Sequence, residues 1–360
     1  MRILPFYYYL KEENMRNLGI DLYRIVLTFM ICLLHTLGQG GLLASNAPGT
    51  LYFRIFWFLE TAAYCAVDGY ALISGYTARE KEFDLKRISF LWLQVFFYSF
   101  IMSFIVSAFG LKGDMSTKAI ILSAFPASSE AYWYFSAYIP LIILEPFIVK
   151  GLKNIDDEGL KTLFILIVVI FTFSGLVGDA SKTQVGYSFI WLTLLFILGY
   201  IIKRLNMFEK WSNRKLLIGS FITVLLSWGP MAISGNDKLI SYISPTIVFD
   251  GIFLMMLFAR FKPNEKFVKA LAPLTFGIYL FQNNRIMWST LKDLFLFVNN
   301  MSVYAIVPVV ILLATAIFGA GTVVDFLRQQ LFKVIKVDKL AIGLNNLAMK
   351  GIGLIKKIIY

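Results

Sequence analysis

Inside the apolar runs of this chain, few residues can move protons. A single histidine, His35, occurs in 360 residues. Histidine titrates near neutrality and suits general acid–base work. On the same apolar run, Arg24 lies eleven residues before it and Asp21 three before that. On a helix, eleven residues make three full turns plus about 20°, so Arg24 and His35 share a face about 16 Å apart along the axis. Asp21 is within ion-pairing reach of Arg24 on that face. The stripe has two readings. Either His35 is a buried imidazole satisfied by a neighbouring hydroxyl and Asp21–Arg24 is a structural pair, or a polar cavity follows the helix with His35 as its acid–base group. A Ser-His-Asp arrangement within this helix is excluded, because Asp21 lies about 21 Å from His35.

Further ionisable groups fall inside apolar runs: Arg54, Glu60, Asp68, Glu145, Asp250, Arg285 and Asp325. Charges at such positions face a partner or a water-filled cavity. Counting depth from the ends of the runs puts Glu60 near the level of His35 and Asp68 near that of Arg24. The expected pairings are Glu60 orienting the imidazole and Asp68 holding Arg24. Glu145, Asp250 and Asp325 read as internal hydrogen-bonding groups. With one histidine, a multi-histidine metal centre is excluded. Cys32 and Cys65 both lie in apolar runs, so no disulfide framework, paired-cysteine site or other metal site is expected.

The elements that must position these residues are transmembrane helices. Apolar side chains make up 58% of the chain and charged ones 16%, against about a quarter in globular domains; the mean hydropathy is +0.72. The apolar runs approach the twenty or so residues that span a bilayer. The fold expected is an all-α bundle of about ten spans. They run from Leu18 to Leu37, Leu51 to Tyr76, Ile88 to Phe109, Tyr132 to Val149 and Leu160 to Val177. The second five run from Gly186 to Ile202, Leu216 to Ile233, Tyr242 to Ala259, Val268 to Gln282 and Val303 to Leu327. Residues 1–17 read as an interfacial tail, with Met15 an alternative start, 18–330 as the membrane domain, and 331–360 as a basic amphipathic cytoplasmic helix on the inner leaflet. Alternate loops divide Lys and Arg 26 to six, the positive-inside pattern for ten spans with both ends cytoplasmic. The net charge of +12 is therefore read as membrane orientation, with no nucleic-acid partner.

With those residues in place, the chain resembles the acyltransferase 3 family, multi-pass O-acyltransferases that decorate bacterial surface glycans. Gly19-Ile20-Asp21-Leu22-Tyr23-Arg24, ten residues and His35 resemble the family's opening signature. Val67-Asp68-Gly69 through Ile73-Ser74-Gly75-Tyr76 is similar to its second-helix element, after which Arg79, Lys81, Lys86 and Arg87 supply the basic residues. Trp133-Tyr134-Phe135 resembles its Trp-Phe element, and Thr275-Phe276-Gly277-Ile278-Tyr279-Leu280 its late Phe-Gly-Ile-Tyr-Leu element. Gln282 stands where members often carry a second histidine, and Lys86-Arg87 replaces the commoner arginine pair.

The resemblance implies a bacterial cytoplasmic-membrane enzyme that takes an acyl group, usually acetyl, from cytoplasmic acyl-CoA. The acceptor it implies is a hydroxyl of a surface glycan or its lipid-linked precursor. It implies His35 as base, with Arg24, fixed by Asp21, lining the acyl-CoA channel or stabilising charge. Lys86, Arg87, Arg79 and Ser74 are implied at the CoA mouth, where Lys and Arg suit phosphates. Glu60, Asp68, Trp133, Tyr134 and Gln282 are substrate-binding or supporting candidates. The loop from Gly110 to Ala131 with the aromatic residues behind it is a candidate acceptor platform, against the reading of an interfacial aromatic belt. The fused extracytoplasmic domain of some members is not expected after the bundle, and transfer to the final acceptor is expected within it. The rival readings are a flippase or transporter of a lipid-linked glycan and, further off, a glycan polymerase.

Overall fold

Side-chain caps fix where several helices begin. Asn17 accepts from the amides of Gly19 and Ile20 to start α1 (Leu18–Leu37). Thr50 starts α2 (Leu51–Ala63). Such a cap is worth about 1 kcal/mol. In this computed structural model residues 16–83, 85–108, 117–126, 132–179 and 181–359 are described. The expected interfacial tail up to residue 15, most of the Gly110–Ala131 platform and the side chain of Arg285 lie outside them.

α3 (Ala66–Tyr76) follows α2, then α4 (Lys86–Phe96), which passes through a π-helical turn at Phe97–Ile101 into α5 (Met102–Ala108). After α6 (Thr117–Ala124) come α7 (Trp133–Lys153) and α8 (Asp157–Ile167), the latter running into a π turn at Val168–Phe173. α9 (Phe189–Arg204), α10 (Asn213–Ser234) and α11 (Pro245–Phe258) follow. α12 (Glu265–Leu271), a 3₁₀ turn at Ala272–Leu274, α13 (Thr275–Gln282) and α14 (Arg285–Leu291) precede the long α15 (Val303–Val334) and α16 (Val337–Ile359). Of the described residues 77% are helical, and none of them forms a strand.

Among the described residues, five helical stretches are long and apolar enough to cross a membrane: Leu18–Leu37, Lys86–Ile105, Trp133–Lys153, Asn213–Ser234 and Val303–Val334. The other expected spans are helical but shorter or interrupted. The one from Leu51 to Tyr76 breaks at Tyr64 and Cys65, and the one ending at Gln282 breaks at the turn containing Pro273. In the most apolar stretch of α1, 61% is buried, against 17% in that of α15, so α1 belongs to the interior and α15 to the periphery. Leu312, Val323, Phe326 and Leu327 of α15, with Phe221, Ile222 and Leu226 of α10, present large apolar side chains outward. Such a surface suits lipid rather than water.

Glycines let the interior helices touch. A Cβ on Gly75 of α3 would sit 1.8 Å from the Phe196 carbonyl oxygen of α9, and one on Gly199 of α9 would sit 2.1 Å from that of Leu72. On Gly277 of α13 it would sit 1.7 Å from Asp325 Oδ1 of α15. That aspartate is fully buried and holds Arg328 through two bonds of 2.6 and 3.1 Å, while accepting from the Tyr98 hydroxyl at 2.9 Å. Buried charge survives in such a setting only when paired and hydrogen-bonded. α13, α15 and the π turn of α4–α5 are locked together at this point.

Candidate functional site

The site is built on α1, α3, α7 and α13. Near the start of α1, buried Asp21 pairs with Arg24 at 2.5 Å and also with Arg16. The Arg24 side chain itself is about a third exposed. Its backbone carbonyl accepts from the Thr28 and Tyr70 hydroxyls, each at 2.8 Å, and those two hydroxyls meet at 2.5 Å. The expected Asp21–Arg24 pair is present. Asp68 does not hold Arg24; its Oδ1 accepts from the indole Nε1 of Trp191 at 3.1 Å. A helical face alone could not reveal this, because it depends on α9 crossing α3 at Gly75 and Gly199.

A basic mouth lies where α4 begins. Buried Glu145 of α7 takes Lys81 at 2.7 Å and Arg87 at 3.3 Å. Arg87 also donates to the Tyr138 hydroxyl at 3.2 Å, which stands 3.0 Å from the Ser74 hydroxyl. Of the four residues expected here, Arg87 and Ser74 are brought together. Arg79 is exposed on the segment after α3, and half-buried Lys86 faces α16, within electrostatic reach of Asp338. Lys81 and Glu145 join the mouth in their place. Two cations share one carboxylate, an excess of positive charge that fits a phosphate-bearing ligand.

At the other end of α1, His35 is half-buried, with Nδ1 3.1 Å from Gln282 Oε1. Its ring stands perpendicular to that of Trp288 of α14, the centroids 4.7 Å apart. Glu60 does not orient the imidazole; Gln282 does. Thr275 faces the Tyr70 hydroxyl at the level of Thr28, and Gln282 faces His35. Both steps are seven residues, so α1 and α13 run parallel and in register. Cys32, Leu33 and Leu34 pack with Leu274 and Ile278 along that seam.

Tyrosines fill the interval between mouth and imidazole. The Tyr134 ring stacks on Tyr138 at 5.8 Å and lies 6.4 Å from Tyr70 and 6.3 Å from Tyr279, one turn below Gln282. The hydroxyls of Tyr134 and Tyr279, Gln282 Nε2 and Asp68 Oδ2 are buried without a hydrogen-bond partner among the described residues. Trp133 turns the other way, towards Tyr187 at 4.6 Å and Tyr242 at 6.2 Å. The spacing of Tyr134 and Tyr138, four apart on one helix face, was the available sequence signal for this tract. No sequence signal marked Glu145 as the residue gathering the cations, since Lys81 and Arg87 come from elsewhere in the chain.

A family model described as an acyltransferase domain, that of acyltransferase 3, matches residues 17–320. The chain belongs to the acyltransferase 3 family. It is therefore assigned acyltransferase chemistry in a membrane setting, and the match runs from the cap of α1 into α15, taking in Asp21, Arg24, His35, Arg87, Glu145 and Gln282. Neither the comparison with curated proteins nor that with solved structures returned a match.

Proposed function

We propose that this acyltransferase moves an acyl group, acetyl in the simplest case, from cytoplasmic acyl-CoA to a hydroxyl of a cell-surface or lipid-linked glycan. One observation carries the reading. Polar side chains form a series from Lys81, Arg87 and Glu145, through Tyr138, Ser74, Tyr70 and Tyr134, to Tyr279, Gln282 and His35. We place both termini in the cytoplasm, with about ten segments in the bilayer of a bacterial cytoplasmic membrane, as the Lys and Arg distribution favours.

In this reading Lys81 and Arg87, with Lys86 and Arg79 nearby, receive the phosphates of CoA, and the tyrosine tract receives its pantetheine arm. Gln282 Oε1 accepts from Nδ1–H of His35, leaving the Nε2 lone pair to take the acceptor's hydroxyl proton. The hydroxyl oxygen bonds to the thioester carbon, the carbon–sulfur bond breaks, and the proton returns to the departing thiolate. Arg24, fixed by Asp21, places positive charge at the inner end of the same face. Incubating purified protein in lipid nanodiscs with radiolabelled acetyl-CoA and candidate oligosaccharides tests this. Labelled glycan and saturable CoA binding are the expected results, and absence of CoA binding points instead to a flippase.

A further inference from the structure

The second apolar segment breaks within its length. α2 stops at Ala63 and α3 starts at Ala66, leaving Tyr64 and Cys65 between them. Interrupted helices at membrane depth persist where they are buried in protein or line a polar cavity. Two buried carboxyls flank the break, Glu60 four residues before Tyr64 and Asp68 four after it. Glu60 Oε2 and Asp68 Oδ2 have no hydrogen-bond partner among the described residues. Nor do the Trp57 indole Nε1, one turn before Glu60, and the Ser241 hydroxyl. Buried polar atoms left so are rare and call for a physical explanation.

The segment carrying Ser241 faces α2: Ile240 packs with Phe53 against Trp57 and Tyr64, and Tyr242 stacks on Tyr64 at 4.8 Å. Tyr187 lies 5.1 Å from Tyr242, and Trp133 closes the aromatic cup against both. Carboxyls alone would suit a cation, but an indole N–H one turn before Glu60 and a serine hydroxyl on the facing segment would not serve one. The combination suits a ligand that donates and accepts hydrogen bonds around a flat apolar face, which is the chemistry of a pyranose ring.

We propose that Trp57, Glu60, Asp68 and Ser241, under the cup of Tyr64, Tyr242, Tyr187 and Trp133, form the acceptor-sugar subsite. Sugar hydroxyls donate to Glu60 Oε2 and Asp68 Oδ2, a sugar oxygen accepts from Trp57 Nε1, and the ring lies against the aromatic faces. The proposal rests on the glycan-acyltransferase reading and gives its acceptor a place. Trp133 joins the cup to the catalytic tract, because its neighbour Tyr134 lies beside Tyr279.

The test needs no acyl transfer. Saturation-transfer NMR on the protein in nanodiscs, with methyl glucopyranoside, methyl galactopyranoside, N-acetylglucosamine and rhamnose as probes, reads sugar binding directly. CoA binding is measured in parallel. At least one probe is expected to bind, and Glu60→Gln and Trp57→Phe, both conserving shape, are expected to weaken it about tenfold with CoA binding retained. No binding by any probe overturns the proposal, as does binding unchanged in both variants. Loss of CoA binding together with sugar binding in both variants assigns the cluster to packing and overturns it too. A protein that binds sugar but not CoA sinks the acyl-CoA reading and leaves the subsite standing.

Discussion

At the level of single residues, the hydrogen bond between His35 and Gln282 is the feature that would direct the imidazole as a base in the proposed mechanism. Replacing His35 with Ala is expected to lower glycan acylation by about 10²-fold or more while CoA still binds at the distant mouth; full activity in the variant would remove His35 from the chemistry. Gln282→Ala is expected to slow turnover about tenfold with little change in acyl-CoA KM, since it loosens the orienting bond and leaves the base in place. Glu145 makes a prediction of opposite sign. It occupies both Lys81 and Arg87, so Glu145→Gln is expected to tighten CoA binding about threefold, whereas Arg87→Ala weakens it about tenfold. Equilibrium binding of labelled CoA reads both, and weakening by Glu145→Gln would make that carboxylate a scaffold alone.

At the level of helices, close crossings hold these side chains in place. Gly75→Ala puts a methyl into the Phe196 carbonyl, and Gly277→Ala puts one into Asp325; each is expected to cost about 1–3 kcal/mol, seen as a lower melting temperature in detergent. Asp325→Ala is expected to cost about 3–5 kcal/mol by stranding buried Arg328, with partial recovery when Arg328→Met is added. Much of this was legible in the sequence. The apolar run from Leu18 to Leu37 gave α1 its bounds, and the Arg24–His35 spacing put both on one face. The break at Tyr64 and Cys65 was not legible, because no proline or glycine marks it. Asp68 was misassigned because depth along a segment says nothing of which neighbour crosses it, and Trp191 arrives only through the α3–α9 crossing. Asp325 read correctly as an internal group, but its partner Arg328 lay just past the expected end of the span, which α15 carries on to Val334.

For the whole molecule, the division of basic residues and the outward apolar faces of α10 and α15 place the bundle in lipid, with the basic mouth facing the cytoplasm in the proposed orientation. Single-cysteine labelling in a variant lacking Cys32 and Cys65 checks that arrangement. A cysteine at Lys350 in α16 should react with membrane-impermeant maleimide only after the cells are opened, and one at Lys238 before. The parallel register of α1 and α13 carries a mechanical corollary. Sliding α13 by one residue would swing Gln282 about 100° around its axis and release the imidazole. Because α13 is bolted to the lipid-facing α15 at Gly277 and Asp325, bilayer thickness becomes a force on that bolt, and membranes of graded acyl-chain length should tune turnover from a distance.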